Sequence, residues 1–119
     1  MDVRSLSRAK PFVTADGSTI RELCGLPTGG TVEQSLAEAT LEPGQATERH
    51  YHGQTEEVYF VLEGEGELEL DGDRARLGPG DAVPIPPGAW HELRNPGETQ
   101  LRILCCCAPP YRHEDTFFE

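Results

Sequence analysis

The chain has 119 residues, in which 10 Lys and Arg stand against 21 Asp and Glu for a formal net charge of −11. A chain of this length fits one domain, with an expected folded surface of about 6,400 Å² and roughly two thirds of the unfolded surface buried. Its acidity argues against nucleic acid as a partner, and no apolar run approaches the roughly 20 residues of a bilayer span, which argues against a membrane protein.

In chain order, the segment MDVRSLSRAKPFV carries positive charge but no apolar stretch of the kind a secretory signal needs, so a cytoplasmic protein is expected. Residues 1–17 are polar, with few strand signals. Short runs separated by Gly, Pro, Asp and Asn then predict eight strands. They cover Thr19 to Leu23, Ser35 to Leu41, Glu57 to Leu62, Glu67 to Leu70, Arg74 to Leu77, Ala82 to Ile85, His91 to Arg94 and Leu101 to Cys107. Between residues 42 and 73 Arg49 is the only basic residue, and Glu63, Glu65, Glu67 and Glu69 recur with period two, the pattern of a solvated strand face. Asp71-Gly72 is a tight-hairpin signal, because Gly accepts the positive φ of a primed turn. Pro109-Pro110 ends the last strand and leaves a tail to residue 119 that either frays or packs across a dimer. Thirteen Gly and ten Pro leave no clean helical window, so the class is all-β, a sandwich or closed barrel.

Three of the four histidines fall in two clusters, ERHYHGQTEEV and PPGAWHELRN. His50 and His52 are separated by one residue, so on a strand both project from the same face. Glu57, beyond a short loop containing Gly53, and His91 from a later strand complete a set of three imidazoles and one carboxylate. That is a mixed nitrogen and oxygen site for one divalent ion. Glu56 competes with Glu57, since successive strand residues face opposite ways and both parities downstream are apolar: Tyr59 and Val61 on one, Val58, Phe60 and Leu62 on the other.

The spacing Gly44-x5-His50-x-His52-x4-Glu57-x6-Gly64 resembles the first motif of the cupin superfamily, and Gly80-x5-Pro86-x-Gly88-x2-His91-x3-Asn95 resembles its second. The 15 residues between them, Glu65 to Pro79, are similar to the short intermotif region of small microbial cupins. The resemblance spans residues 44 to 95. It implies a small antiparallel β-barrel of the double-stranded β-helix or jelly-roll type, its core over about residues 35–108 of a single domain 1–119, with 1–17 and 109–119 as extensions. It also implies that His50, His52, Glu57 and His91 turn inward to one metal ion, and its six-residue gap to Gly64 favours Glu57 over Glu56. A homodimer is implied as well, for which Phe60 and Phe117 are outward apolar candidates.

Cys105, Cys106 and Cys107 are adjacent, which makes a poor disulfide framework, suits a reducing compartment and reads as a continuation of the apolar strand begun by Leu101, Ile103 and Leu104. Trp90 reads as barrel or interface packing, and His113, in the acidic tail, as a surface residue. Tyr59 and Gln54 are candidates to line the pocket.

Four protein ligands leave two positions on a six-coordinate ion, an open site of catalytic type. Imidazole with carboxylate suits Fe, Mn, Ni, Cu, Co or Zn alike. By analogy with the family, the expected function is a metal-dependent enzyme of dioxygenase type acting on a small chelating enol, diketone or phenolic substrate, with Glu57 as ligand and general base. The alternatives are a sugar or sugar-phosphate isomerase or epimerase, for which Arg49, Arg94 and Arg102 form no obvious phosphate clamp, and a binding module without turnover.

Overall fold

The computed structural model describes residues 1–119 and has eleven strands. These are β1 (Phe12–Val13), β2 (Thr19–Cys24), β3 (Ser35–Leu41), β4 (His50–His52), β5 (Glu56–Glu63), β6 (Gly66–Leu70), β7 (Asp73–Leu77), β8 (Ala82–Ile85), β9 (His91–Arg94), β10 (Leu101–Ala108) and β11 (Thr116–Phe118). The only helical pieces are two single 3₁₀ turns, at Leu6–Arg8 and His113–Asp115. All eight predicted strands form, with ends that differ by a residue or so.

Three strands are additions, and each has a reason to be silent in the sequence. β4 is three residues long, too short for a periodic signal. β1 is two residues long and pairs only with β2, Phe12 opposite Ile20. β11 follows the Pro109-Pro110 break, in the tail expected to fray or pack across a dimer; it does not fray, and pairs in its own chain with β4, Thr116 opposite His52 and Phe118 opposite His50.

The strands form two antiparallel sheets, ordered β1-β2-β3-β10-β5-β8 and β11-β4-β9-β6-β7. They face each other as a jelly-roll and are not hydrogen-bonded to one another into a closed barrel. Alternation along each strand sends one set of side chains between the sheets: Leu41, Val61, Leu101 and Ile103 from the first, Leu68 and Leu93 from the second, all buried. The accessible surface, 6746 Å², is close to the size expected for a chain of this length.

The acidic alternation lies outward, as predicted, and it is neutralised by arginines across the sheets. Glu67 lies opposite Arg76 and Glu69 opposite Arg74 in the β6–β7 ladder. Glu63 binds Arg102 at 3.0 Å, and Glu69 binds Arg49 at 3.1 Å. Partly exposed pairs of this kind add little stability each, but they relieve the repulsion of like charges side by side.

Two motif residues outside the candidate ligands have clear structural work. Gly64 has φ +86°, and a Cβ there would come within 2.5 Å of the Gln100 carbonyl oxygen, so only Gly lets the β5–β6 turn pass against the chain entering β10. Asn95, fully buried, donates from Nδ2 to the carbonyls of Leu41 and Thr99 at 2.9 and 2.8 Å, and its Oδ1 accepts the Gly97 N–H at 2.9 Å. It thereby ties the end of β3 to the loop after β9. Asn95→Ala strands those buried groups, and urea denaturation should show a loss of about 2–3 kcal/mol with unchanged far-UV circular dichroism of the folded state.

Candidate metal centre

The site lies between the sheets. β4 supplies His50 and His52, β9 supplies His91, and both belong to one sheet; β5, in the facing sheet, supplies Glu57. His50 stands directly opposite His91 in the β4–β9 pair. All four side chains are buried, His91 at 0% and Glu57 at 5% exposure, while Glu56 is exposed. Of the two carboxylates weighed in the sequence, Glu57 is the one that faces inward, together with Tyr59 and Val61.

Local turns aim these residues. Asp71, at the turn joining β6 and β7 with φ +46°, accepts the Trp90 N–H on Oδ1 at 2.9 Å and donates its own N–H to the Trp90 carbonyl at 2.8 Å. That double clamp fixes the residue just before His91. In the following-motif turn, Gly88 (φ +82°) donates its N–H to the His52 carbonyl at 2.7 Å, joining the two histidine segments.

Each imidazole is anchored through Nδ1. His50 Nδ1 lies 2.7 Å from the Glu48 carbonyl and His91 Nδ1 2.9 Å from the Ala89 carbonyl. A carbonyl can only accept, so Nδ1 carries the hydrogen and Nε2 presents a lone pair. His52 Nδ1 is 3.1 Å from Thr116 Oγ1, whose hydroxyl donates to the Arg112 carbonyl at 3.1 Å, so the same tautomer follows. The three imidazoles offer ligand atoms within 4.8 Å of one another.

The consequence is an electrostatic mismatch that a cation resolves. Glu57 Oε1 lies 3.2 Å from His52 Nε2 and 3.6 Å from His91 Nε2. Glu57 Oε1 and His91 Nε2 are buried without a hydrogen-bond partner. Lone pairs converging at such distances in a buried site are costly unless a positive ion sits among them. The donor set and its bare atoms fit a divalent transition metal, with three neutral imidazoles and one carboxylate as ligands.

Burial alone would raise the Glu57 carboxyl, but hydrogen bonds and charge from His52 and His91, supplied only by rings that carry a proton on Nε2 in place of the ion, outweigh it and hold the group at about 2. Burial lowers His50, helped by the nearby His91, and keeps it in the neutral form that a ligand needs. Burial raises Tyr59 and Cys105 well above their ordinary values, with the Glu57 charge adding to it, so both stay protonated.

Several partners of the site were not legible beforehand. Thr116 and Asp115 come from the tail: Asp115 accepts the N–H groups of Gln54 and Thr55 at 3.0–3.1 Å, capping the loop between His52 and Glu57. Asp16, from the β1–β2 turn, places Oδ2 3.9 Å from His50 Nε2; its signal was Asp16-Gly17, the same dipeptide as the recognised hairpin turn at 71–72. Cys107 is buried as expected, and its thiol also donates to Glu57 Oε2 at 3.3 Å. Cys105 packs against the core, whereas Cys106 is exposed, so the buried-hydrophobe reading fails for that one residue because strand alternation turns it outward. Trp90 packs on the outer face with Tyr51 at 4.7 Å and Arg49 at 5.0 Å, His113 is exposed, and Gln54 is exposed and does not line the cavity.

The cavity beside His50, His52 and Glu57 holds about 70 Å³ and is walled by apolar side chains such as Ile20, Leu41, Leu93 and Ile103, with Tyr59 and Cys105. A family model described as Cupin domain matches residues 37–107. The chain belongs to the cupin family. This cupin is 46% identical over 109 residues to "Uncharacterized protein MJ1618" of Methanocaldococcus jannaschii, across 92% of this chain and 87% of that one. It is 31% identical over 93 residues to "Polyketide synthase CurC" of Streptomyces cyaneus, across 78% of this chain and 60% of that protein. A crystal structure of a protein from Planctomyces limnophilus superposes with a TM-score of 0.84 at 25% identity, covering 99% of this cupin and 96% of that chain.

Two outcomes follow from the site's geometry. Thr116→Ala should weaken divalent-metal affinity about 10- to 100-fold in competition titrations, while Thr116→Ser, which keeps the hydroxyl, holds close to wild type. The metal-free protein should lose thermal stability as pH falls. Below about 6.5 the unfolded chain protonates His50 while burial resists this in the fold, and the contribution of Glu57, complete above about 4.5, is lost as pH falls toward about 2. Glu57→Gln should flatten the more acidic limb of melting temperature against pH.

Proposed function

We propose that this cupin is a metal-dependent enzyme of dioxygenase type acting on a small chelating enol, diketone or phenolic substrate. The observation that carries the reading is the convergence of the three Nε2 atoms and the bare Glu57 Oε1 beside an apolar cavity. A divalent transition metal in that position supplies Lewis-acid activation and, when redox-active, electron transfer between substrate and dioxygen. His50, His52 and His91 hold it as neutral ligands, and Glu57 is the fourth. Glu57 is also within reach to take a substrate proton. Leu41, Leu93 and Ile103 shield the site from water and favour a flat, weakly polar substrate.

The charge of the cavity also supports this choice. No Lys or Arg lines it, while Asp16, Glu22 and Glu57 do. Arg49 points outward to Glu69, Glu119 and Trp90, and Arg102 is held by Glu38 and Glu63. A sugar phosphate would therefore enter a cavity with no counter-charge beyond the ion itself. The likeness to a relative named polyketide synthase is in keeping with a substrate rich in carbonyl and enol groups.

Protein purified without chelators should contain about one equivalent of Fe, Mn, Ni, Cu or Co per chain by elemental mass spectrometry, and should consume dioxygen in the presence of a β-diketone or flavonol panel. His91→Ala should lose the metal and the oxygen uptake while its circular dichroism keeps the strand signature. One equivalent of zinc without oxygen uptake would point to isomerase-type Lewis-acid chemistry. Metal binding without turnover of any kind would leave a binding module.

A further inference from the structure

We propose that Asp16 is a catalytic base of this site, accepting through Oδ2 the hydroxyl proton of an enol or phenol bound beside His50. The inference rests on the metal-dependent reading above and assigns a role to a residue outside both cupin motifs. Asp16 sits in the turn between β1 and β2, at the edge of the sheet that carries Glu57.

That turn is built to hold the carboxylate still. Oδ1 accepts the Ser18 N–H at 2.9 Å and the Ser18 hydroxyl at 2.6 Å. The Asp16 carbonyl accepts the Glu48 N–H at 2.8 Å, fastening the turn to the residue two before His50. The Thr14 N–H reaches the Ser18 carbonyl and the Gly17 N–H the Thr14 carbonyl, both at 3.0 Å, with Gly17 at φ +94°. With Oδ1 and the carbonyl engaged, Oδ2 is the free oxygen, and it faces His50 Nε2 at 3.9 Å. That separation exceeds a direct hydrogen bond, so Oδ2 is not engaged by the ring and stays open to a substrate hydroxyl held next to the ion.

Glu57, the other carboxylate at the ion site, is less free for the task. Its Oε2 accepts the Cys107 thiol, and its Oε1 faces two imidazoles. Asp16 has in addition a way out for the proton. It lines both the inner cavity and an outer crevice open to solvent between Ala46, Glu48 and Phe118. In the step assigned to it, the substrate O–H bond breaks, an O–H bond forms on Asp16 Oδ2, and the electron pair stays on the substrate oxygen. The proton then passes to water in the crevice. A substrate without an acidic hydroxyl would gain nothing from Asp16.

The test uses the cobalt(II)-loaded full chain with two probes followed by visible absorption: nitrocatechol, which must give up a hydroxyl proton to chelate, and azide, which brings none. Asp16→Asn keeps the Oδ1 acceptor for Ser18 and so preserves the turn. It should retain the cobalt stoichiometry and azide binding rate of wild type but chelate nitrocatechol about tenfold more slowly or worse in rapid-mixing traces. Asp16→Glu, which restores a carboxylate, should recover part of that loss. Loss of cobalt in Asp16→Asn would make Asp16 a ligand and overturn the proposal. Equal slowing of both probes, or no slowing of nitrocatechol, would overturn it too. Failure of the wild type to take up cobalt would sink the underlying metal reading instead, and that is seen before any variant is compared.

Discussion

The structure depends on a cluster of lone pairs that the fold holds together against their mutual repulsion. His52 Nε2 and Glu57 Oε1 meet at 3.2 Å, with His50 and His91 alongside, in an interior where no protein donor reaches Glu57 Oε1 or His91 Nε2. No ordinary core would collect these groups, because each costs desolvation and they repel one another. Their presence together makes sense as one half of a cation site whose other half is the ion.

Much of the surrounding architecture serves to keep that cluster in register. The three imidazoles come from one sheet and the carboxylate from the other, so the distance between the sheets sets the ligand geometry. Packing of Leu41, Val61, Leu93 and Leu101 between the sheets fixes that distance. Backbone carbonyls of Glu48 and Ala89 and the Thr116 hydroxyl fix the tautomers. The Asp71 clamp on Trp90 and the Gly88 bond to His52 set the angles of approach. Both chain ends belong to this framework: β11 flanks the histidine strand, and the β1–β2 turn brings a further carboxylate to the rim.

The strands, the hairpin at Asp71-Gly72 and the four inward residues were legible because each leaves a local mark. Strands alternate, turns need Gly at positive φ, and His50 and His52 share a parity. The choice of Glu57 over Glu56 was not legible from alternation, since Val58, Phe60 and Leu62 are as apolar as Tyr59 and Val61; the fold decides by burying one parity and leaving Phe60 at 37% exposure. The roles of Asp16 and Thr116 were hidden for a different reason. Each meets its histidine across a long stretch of chain, 34 residues for Asp16 and 64 for Thr116. Thr116 lies on a strand of three residues and Asp16 in a turn next to one of two, both too short to leave a periodic mark. Cys106 breaks the apolar run for the reason that makes β10 a strand at all: its neighbours point inward, so it points out.

The most direct test of the account is a crystal structure of the metal-loaded protein with anomalous data collected at the metal edge. The account predicts one anomalous peak between the sheets, bonded to Nε2 of His50, His52 and His91 and to Oε1 of Glu57, with all three Nδ1 contacts preserved. A peak at the Cys105–Cys107 thiols, ligation through Nδ1, or no peak in protein that holds its folded form in excess metal would contradict it.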